Sequence, residues 1–410
     1  MKREALVAGL DVGSTKTCAV IAEFTGEERT PVAKILGVGL ARTTGVRRGV
    51  VRDIEETTRA IGRALSDAER MAGLKIPAVF CGIAAENVRT QLSNGLVSVS
   101  GDEIKPQDVR RVHETALSVS LGDEHELLVP IPQEYTVDKQ GGINDPIGMT
   151  GMRLEVEMQL VAVHKQAAQN LKRSIERAGY RVSEFVLEPL AAAEAVLTDE
   201  ERELGCALVE LGGGSTTVAI FHDNKLRHLS SDRCAGSYVT SDLVHGLSIT
   251  QTDAERLKER WGVAYAPLVE PEEMVELPGT PGQGVRHAKR ELIAHIVHQR
   301  LDEIFGRVID QIEQVGYAGR LPAGVILTGG GAHMAGVVEL GREVFAMPVR
   351  KGIPERDIKG LVDSVQAPRY AVPVGLALYG VRSRGHGEGP GDTTVDKVWG
   401  PVKRWLQDFF

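Results

Sequence analysis

Two stretches, AGLDVGSTKTCAVIAE at residues 8–23 and ALVELGGGSTTVAIFH at residues 207–222, share one plan and decide the expected fold. Each contains a short apolar run, an acidic residue, a turn of Gly, Ser and Thr, and a second β-rich run. Two such copies in one chain predict a duplicated domain with a cleft between the copies. The expected correspondences are Asp11 with Glu210, Gly13 with one of Gly212 to Gly214, and Ser14–Thr15 with Ser215–Thr216.

The residues after each turn indicate β-hairpins. TCAVIAE and TVAIFH are rich in β-branched and apolar residues. The P-loop and G-x-G-x-x-G patterns, which a helix must follow, are absent from both stretches. Turns of small residues expose backbone N–H groups and hydroxyls to an anion. One such turn is more often a plain tight turn, but two turns with matched acidic residues predict a grip on a polyphosphate.

A third glycine turn lies in GVILTGGGAHMAGVVELGREVF at residues 324–345. A buried strand at residues 325–327 leads into Gly329–Gly331, and a helical pattern follows. Glycines let a backbone pack closely on a flat ring, so this turn could hold a base and its ribose. Between the second and third turns, TQTDAERLKERWG at residues 250–262 predicts a helix capped by Thr252 or Asp253. Its Glu255 and Lys258 lie on one helical face, which by itself is typical of a solvated ion pair.

The glycine turns belong to a larger set of motifs. In chain order these are DVGSTK at residues 11–16, EPLAAA at 188–193, ELGGGST at 210–216, AGS at 235–237, AERLK at 254–258, LTGGGA at 327–332 and PVGLAL at 373–378. The set resembles the phosphate-1, connect-1, phosphate-2, adenosine and connect-2 motifs of the actin/Hsp70 ATPase superfamily. Within that superfamily, LLVPIPQEYTVDKQGGINDPIGMTGMRLEVEMQLVAV at residues 127–163 resembles a segment peculiar to the FtsA family of bacterial cell-division proteins.

The resemblance implies an α/β, actin-like ATPase fold: duplicated RNase H-like domains around a nucleotide cleft, an inserted α+β subdomain and a C-terminal amphipathic helix. The implied division is residues 1–81 and 165–195 for the first half, 82–164 for the inserted subdomain and 196–380 for the second half. A smaller subdomain of the second half is expected at about residues 241–320, a flexible linker at 381–394 and the amphipathic helix at 395–410.

The resemblance also implies roles for single residues toward ATP and Mg²⁺. Asp11 would hold Mg²⁺ through water, together with Glu210, and Glu188 is the catalytic candidate because it could polarise the attacking water. The expected nucleotide-binding residues are Asp11, Gly13, Ser14, Thr15, Lys16, Gly212, Gly213, Gly214, Ser215, Thr216, Gly236, Glu255, Lys258, Gly329, Gly330 and Gly331. Such a site suits phosphoryl transfer, which needs positioning and charge neutralisation more than a nucleophile.

Two features depart from the superfamily pattern. The second hairpin carries Glu210 where Asp is usual, and its turn ends in Thr216, Thr217 and Val218 without the frequent acidic residue. A longer carboxylate changes where metal-bound waters lie. We therefore expect ATP binding with slow or negligible hydrolysis, and assembly that depends on binding.

Two regions outside the cleft are expected to bind partners. In the inserted subdomain, IAAENVRTQLSNGLVSVSG at residues 83–101 predicts a hairpin that turns at Asn94–Gly95. By resemblance this subdomain contacts a neighbouring protomer of the filament or other division proteins, although a purely structural insertion stays open. A long amphipathic helix, expected from residue 285, carries Arg286, Lys289 and Arg290 at its start. These three residues are candidates for binding the C-terminal peptide of the tubulin-like FtsZ.

The C-terminus, VDKVWGPVKRWLQDFF at residues 395–410, predicts a membrane contact. On a helical projection its apolar side chains fall within one arc, with Trp399, Val402, Trp405, Leu406, Phe409 and Phe410 as the candidate lipid-binding residues. An ordinary docked helix is the alternative. The polar, glycine-rich run before it and the two tryptophans favour lipid. One short helix is a weak anchor, so stable attachment needs many tails on a polymer.

Composition and hydropathy limit the possible ligands and cellular location of the protein. A net charge of −8 disfavours broad nucleic-acid binding. The four cysteines are far apart, as expected for buried thiols in a reducing compartment. No apolar run is long enough to span a membrane, and Asp11 interrupts the N-terminal apolar stretch, which argues against a signal peptide. We expect a cytoplasmic protein, peripheral on the inner face of the cell membrane at the division site.

These observations favour a membrane-tethered, actin-like scaffold that polymerises, links the FtsZ ring to the membrane and recruits later division proteins. The alternative is a soluble, actin-like platform ATPase of type IV pilus assembly, which needs no amphipathic tail. A sugar kinase or chaperone of the same fold is a third possibility, but it needs a sugar pocket or a long peptide-binding domain that the sequence does not contain.

Overall fold

The computed structural model describes residues 6–27, 30–277 and 286–385. The strands in this part of the chain are β1 (Leu6–Val12), β2 (Lys16–Glu27), β3 (Thr30–Arg42), β4 (Val46–Arg47), β5 (Val50–Val51), β6 (Ala78–Ile83), β7 (Val88–Ser98), β8 (His125–Val137), β9 (Gln140–Ile143), β10 (Arg153–His164), β11 (Arg181–Leu187), β12 (Cys206–Leu211), β13 (Thr216–His222), β14 (Lys225–Asp232), β15 (Met274–Leu277), β16 (Arg286–Lys289), β17 (Val325–Thr328), β18 (Val349–Lys351) and β19 (Ile358–Gly360). The helices are α1 (Ile54–Ala72), α2 (Pro106–Leu117), α3 (Lys165–Arg177), α4 (Glu188–Val196), α5 (Asp199–Leu204), α6 (Gly236–Leu247), α7 (Gln251–Trp261), α8 (Arg290–Gln314), α9 (Val337–Phe345) and α10 (Ala371–Gly385).

The first half is built on a six-stranded sheet in the order β11-β6-β1-β2-β3-β19. The strands β1, β2 and β3 are antiparallel neighbours, whereas β6, β11 and β19 join in parallel. Helix α1 begins at Asp53, whose carboxylate accepts the Glu56 N–H, and it ends at Gly73 in the left-handed conformation. Its buried face packs with α3 on one side of the sheet.

The second half repeats this arrangement. Its sheet has the order β14-β13-β12-β17-β18, with β12, β13 and β14 antiparallel and β17 and β18 parallel to β12. The order matches β3-β2-β1-β6-β11 of the first half strand for strand, so the predicted duplication is confirmed. Both glycine turns join antiparallel strands, and the predicted hairpins are therefore confirmed.

Two helices lie between the halves. Side chains of α4 and α10 share one hydrophobic core with residues of both sheets. The helices pack backbone to backbone at Gly375, where an added Cβ would lie 1.7 Å from the Ala191 carbonyl oxygen. The short side chains of EPLAAA and PVGLAL allow this close crossing, which brings the two sheets together around one cleft.

The inserted subdomain is a four-stranded antiparallel sheet, β7-β10-β8-β9, with α2 against it. The predicted turn at Asn94–Gly95 is wrong, because both residues lie inside β7 and pair with Glu157 and Val156 of β10. Gly95 serves a different purpose. An added Cβ there would lie 2.1 Å from the Val112 carbonyl oxygen of α2, so the glycine lets the helix approach the strand.

Three expected boundaries differ from the structure. The chain returns to the first half before residue 380, since β19 pairs with β3 and α10 packs on β1 and β2. Helix α10 continues to Gly385, so the first residues of the expected linker are helical. The long helix begins at Arg290, while Arg286 and Lys289 lie in β16, which pairs with β15.

Candidate functional site

The first glycine turn closes β1 onto β2. The Gly13 N–H donates to the Lys16 carbonyl at 3.0 Å, and Asp11 pairs with Cys18 just before the turn. Asp11 is only 7% exposed because it lies on a central strand of the sheet. The turn therefore presents Ser14 and Thr15 at the strand ends and places a buried carboxylate directly behind them.

The second turn has the same hydrogen bond. The Gly212 N–H donates to the Ser215 carbonyl at 3.0 Å, and Glu210 pairs with Thr217. This register selects Gly212 as the counterpart of Gly13 and confirms the match of Asp11 with Glu210. The expected match of Ser14–Thr15 with Ser215–Thr216 is wrong by two residues. Gly213 and Gly214 occupy those positions, and Ser215 is the counterpart of Lys16.

The two turns face each other across the cleft. An added Cβ on Gly213 would lie 2.4 Å from Thr15 Cγ2, and one on Gly214 would lie 2.5 Å from Ser14 Oγ. Neither glycine has a positive φ. Close approach between the halves, rather than backbone conformation, is therefore what these two glycines permit.

Three carboxyl groups converge behind the turns: Asp11 is buried, and Glu188 and Glu210 are half-buried. Glu188 is the first residue of α4 and packs on Gly82, where an added Cβ would lie 2.7 Å from Glu188 Cγ. Burial raises the pKa of Glu188 well above its ordinary range, and the carboxylates of Asp11 and Glu210 add to this effect. Burial raises the pKa of Glu210 to about 8, again with help from Asp11. Burial also raises the pKa of Asp11, while the Lys16 ammonium opposes the shift.

Lys16 is a half-buried cation at the first turn. Its Nζ donates to the Arg369 carbonyl at 2.6 Å and lies 5.8 Å from the centroid of the Tyr370 ring. Burial lowers the pKa of Lys16, and the Asp11 carboxylate opposes that shift. The sequence offered no signal for this contact, because Arg369 belongs to a 3-10 turn more than 350 positions away, just before α10.

Helix α6 begins at the second turn. The N–H groups of Gly236 and Ser237 donate to the carbonyls of Gly212 and Gly213, at 3.0 and 2.8 Å. An added Cβ on Gly236 would lie 3.1 Å from the Gly212 oxygen, so a glycine suits this junction.

The pair Glu255 and Lys258 lies beside Gly236 rather than on a solvated face. Lys258 Nζ donates to the Gly236 carbonyl at 3.1 Å and to Glu255 Oε2 at 2.8 Å. The Lys258 side chain is only 12% exposed. The cap of their helix α7 lies two or three residues before the expected caps, since it is Thr250, which accepts the Asp253 N–H.

The third glycine turn packs on the end of β12. Gly329 has a φ of +82°, and added Cβ atoms on Gly329 and Gly331 would lie 2.8 Å from the Leu211 oxygen and 2.9 Å from Leu211 Cβ. Gly330 has no atom within 4 Å of such a Cβ and faces open space. The structure thus brings the three glycine turns, Gly236 and the Glu255–Lys258 pair to one cleft.

Sequence reasoning missed the hydrogen bonds that Gly49, Glu86 and Asn87 make at the cleft. The Gly49 N–H donates to Ser14 Oγ at 3.1 Å, and Asn87 Nδ2 donates to the Gly49 carbonyl at 2.7 Å. The adjacent Glu86 accepts a hydrogen bond from Ser231 Oγ of the second half. Glu86 Oε2 is buried and has no hydrogen-bond partner in the described part of the chain. The role of Glu86 is visible only in the structure, where residues near 86 and 231 come into contact. The Glu86 carboxylate also raises the pKa of Glu188 and Glu210.

Among the described residues, no group of three or more His, Cys, Asp or Glu side chains could hold a metal ion. The described residues therefore do not form a site in which protein side chains alone coordinate a metal ion. The carboxyl groups behind the turns suit a cation that keeps its waters, which is how Mg²⁺ is usually held beside phosphates.

Models of two protein families match the chain. Residues 207–375 match "Cell division protein FtsA", and residues 85–162 match "SHS2 domain inserted in FTSA". The cell division protein FtsA of Pseudomonas aeruginosa is 36% identical over 413 aligned positions, covering 99% of this chain and 98% of the relative. The FtsA of Escherichia coli K12 is 35% identical, with the same coverage of both chains. The chain belongs to the FtsA family of cell-division proteins.

Solved structures agree with the actin-like fold of an FtsA-family protein. A PilM–PilN type IV pilus biogenesis complex superposes with a TM-score of 0.66 at 17% identity, covering 92% of this chain and 98% of that chain. The ADP-bound MreB5 of Spiroplasma citri superposes with a TM-score of 0.56 at 14% identity, covering 94% and 100%. At such identities the likeness shows the fold alone, which confirms the predicted fold class.

Other predicted sites of this FtsA-family chain lie away from the cleft. Arg286 Nη2 donates to the Leu247 carbonyl at 3.0 Å, and Lys289 lies 3.7 Å from Glu272. Arg290 Nη1 binds both carboxylate oxygens of Glu273, at 3.0 and 2.7 Å. The three basic side chains therefore already make internal contacts.

The predicted lipid-binding residues lie outside the described residues; these are Trp399, Val402, Trp405, Leu406, Phe409 and Phe410. Within the part of the chain that the structure describes, no helix combines the length and the apolar character needed to cross a bilayer.

Proposed function

We propose that this FtsA-family protein binds ATP with Mg²⁺ in the cleft between its two halves and assembles into a membrane-bound polymer in cell division. The observation that carries the proposal is the pair of facing turns with identical hydrogen bonds, Gly13 to Lys16 and Gly212 to Ser215. Backbone N–H groups and hydroxyls at both turns suit a polyphosphate held from two sides. Two structures of the fold neighbour MreB5 of Spiroplasma citri contain ADP and AMPPNP, which is consistent with this.

Each half would supply part of the phosphate grip. Ser14, Thr15 and Lys16 would bind the β- and γ-phosphates from the first half, and residues 212–216 would close over them from the second. The Lys16 ammonium would offset phosphate charge, since Lys16 directly follows Ser14 and Thr15 of the first turn. Gly236 would approach the phosphates beside the second turn, since a glycine has no side chain to block them.

The nucleoside end would lie between α7 and the third glycine turn. Glu255 and Lys258 would contact the ribose and adenine, and Gly329–Gly331 would line the base. Open space at Gly330 supports this placement. Lys258 already bonds to the Gly236 carbonyl, so the ribose and phosphate ends of the site would share one hydrogen-bond network.

Asp11 and Glu210 would hold Mg²⁺ through water. When bound, the cation would neutralise phosphate charge and polarise the transferred phosphoryl group. Its positive charge would also stabilise the ionised carboxylates that burial disfavours. Glu188 would orient the attacking water. With Glu210 one methylene longer than Asp11, we expect slow turnover.

Isothermal titration of ATP with and without Mg²⁺ tests the site. In the wild-type protein we expect Mg²⁺ to tighten ATP binding by about tenfold or more, and Asp11→Asn should abolish that gain. Asp302→Asn, on an exposed position of α8, is the matched control and should behave as wild type. Equal Mg²⁺ dependence in Asp11→Asn and wild type would contradict the assignment.

Membrane attachment would come from residues 395–410, whose apolar side chains share one helical arc. A single short amphipathic helix binds lipid weakly, so assembly would multiply the attachment. Liposome co-sedimentation of Trp405→Glu, with and without ATP, tests this coupling. The variant should stay in solution, and wild-type binding should rise with assembly. Full binding by the variant would exclude the tail as anchor, and wild-type binding independent of ATP would exclude the coupling.

The division partners would bind on two surfaces. The inserted subdomain would contact a neighbouring protomer or later division proteins, and the surface with Arg286, Lys289 and Arg290 would receive the FtsZ C-terminal peptide. Lys289 is the most accessible of the three, with a side chain 53% exposed. Unchanged affinity for the FtsZ peptide after alanine substitution of all three residues would remove the second assignment.

A further inference from the structure

The outer edge of β3 is open over half of its length. Strand β19 pairs with β3 only from Ala33 to Ile35. Beyond that point, the described residues place no strand beside residues 37–42 on this side. The Val38 N–H points outward, to Met71 Sδ at 3.4 Å, while the Thr43 N–H points inward to the Thr15 carbonyl at 3.0 Å. Because backbone directions alternate along a strand, the N–H and C=O of Leu40 lie on the open edge.

Helix α1 runs beside this edge and leaves a groove. Gly37 and Gly39 let the helix pack on the strand backbone, since an added Cβ on Gly39 would lie 1.8 Å from the Ala64 oxygen. The groove between strand edge and helix has a volume of 630 Å³ and continues into a second section of 420 Å³. An open strand edge beside a helix is a geometry in which extended peptides add as an extra strand.

The charge of the groove is unbalanced. Four arginines line it: Arg42, Arg59, Arg63 and Arg70. Arg59 bonds to Glu56 at 2.6 Å and Arg70 to Asp67 at 2.9 Å. Arg42 and Arg63 have no carboxylate partner in the described part of the chain, although the chain as a whole carries a net charge of −8. The groove therefore attracts carboxylates, although the net charge of the chain is negative.

Apolar side chains mark the middle of the groove. Leu40 is 43% exposed and Met71 is 53% exposed. Both line the second section, next to the open backbone of β3. A ligand for this surface needs an aliphatic side chain as well as carboxylates.

We infer that the groove between β3 and α1 binds an extended peptide segment of a partner protein, rich in acidic residues with alternating aliphatic side chains. The peptide backbone pairs with Leu40 on the edge of β3. Its carboxylates meet Arg42 and Arg63, and an aliphatic side chain covers Leu40 and Met71. The inference is independent of nucleotide binding, because none of these side chains belongs to the proposed ATP site.

The test uses the full chain and three fluorescent six-residue probes. The first alternates valine with aspartate, the second alternates valine with lysine, and the third repeats the acidic probe with N-methylated valine amides. By fluorescence anisotropy we expect the acidic probe to bind about tenfold more tightly than either other probe. Arg42→Glu combined with Arg63→Glu should weaken it by about tenfold, whereas Arg110→Glu, an exposed arginine of α2, should not.

Four results would overturn the inference. They are equal binding of acidic and basic probes, equal binding of the N-methylated probe, no loss in the double variant, and displacement of the acidic probe by a peptide of residues 386–410. The last would mean that the chain's own C-terminal segment occupies the groove. Circular dichroism spectra check that the variants are folded. The double variant Arg42→Gln, Arg63→Gln is a milder change, and it should also weaken binding of the acidic probe.

Discussion

The two glycine hairpins have the same backbone but different side chains. In each, a glycine N–H closes the turn onto a carbonyl three residues later, and an acidic residue lies two positions before that glycine. The first hairpin adds Ser14, Thr15 and Lys16, whereas the second has Gly213, Gly214 and Ser215 at the same places. Because the second turn has glycines where the first has side chains, the two turns can pack together without a steric clash. The first copy therefore carries the charged and hydroxyl side chains, and the glycines of the second copy let the two turns come into close contact.

The largest effect should come from giving the second turn a side chain. Gly213→Val puts carbon where an added Cβ would lie 2.4 Å from Thr15 Cγ2, so the halves cannot close. We expect ATP affinity to fall by about 100-fold in isothermal titration, because overpacking at a tight contact costs about 1–3 kcal/mol or more. Gly306→Ala, where an added Cβ meets no atom within 4 Å, should leave affinity unchanged. Wild-type affinity in Gly213→Val would mean that the turns do not close on ATP.

The Glu210 carboxyl of the second hairpin should make the free energy of unfolding depend on pH. The pKa of Glu210 is raised from 4.5 to about 8 in the folded protein, so the folded state holds a proton that the unfolded state has lost between those values. The free energy of unfolding should therefore fall as pH rises from about 5 to about 8, by roughly 2–4 kcal/mol. In urea titrations without nucleotide, Glu210→Gln should make this decline shallower, and Glu188, whose pKa is also raised, should account for the remainder. An equally steep decline in Glu210→Gln would assign the effect to another group.

Exchanging the carboxylates of the two hairpins should change turnover. Glu210→Asp gives the second hairpin the same acid as the first, and we expect phosphate release from ATP to rise by about three- to tenfold with little change in affinity. The reciprocal Asp11→Glu should lower it. A rate that is unchanged in Glu210→Asp would show that carboxylate length at this position does not limit hydrolysis.

The smallest effect should come from the hydrogen bond between the halves. Ser231→Ala removes the donor to Glu86, and we expect a loss of about 1 kcal/mol in the free energy of unfolding. Ser241→Ala, whose hydroxyl donates within α6 to the Ser237 carbonyl, is the control and should cost less. If both variants lose the same free energy of unfolding, the hydrogen bond between Ser231 and Glu86 stabilises the protein no more than a hydrogen bond within one helix.

Much of the architecture could be predicted because its signals are local. A glycine turn between β-branched runs encodes a hairpin within about a dozen residues, and two copies predicted the duplicated sheets. Residues 325–327 correctly indicated β17. Local patterns were misleading where a glycine could indicate either a turn or close packing of a helix on a strand. Asn94–Gly95 has the composition of a hairpin turn, yet Gly95 lies in β7 to admit α2.

The sequence by itself determined the hairpins, the acidic residue before each turn and the order of the motifs, because backbone propensity and motif spacing depend on neighbours along the chain. Tertiary structure decided which glycines correspond, since only the hydrogen-bond register distinguishes Gly212 from Gly213 and Gly214. It also decided that β19 and α10 complete the first half and that Glu86 joins Asp11, Glu188 and Glu210. Burial and charge interactions depend on distance in space, and segments more than a hundred residues apart meet only when the two halves close.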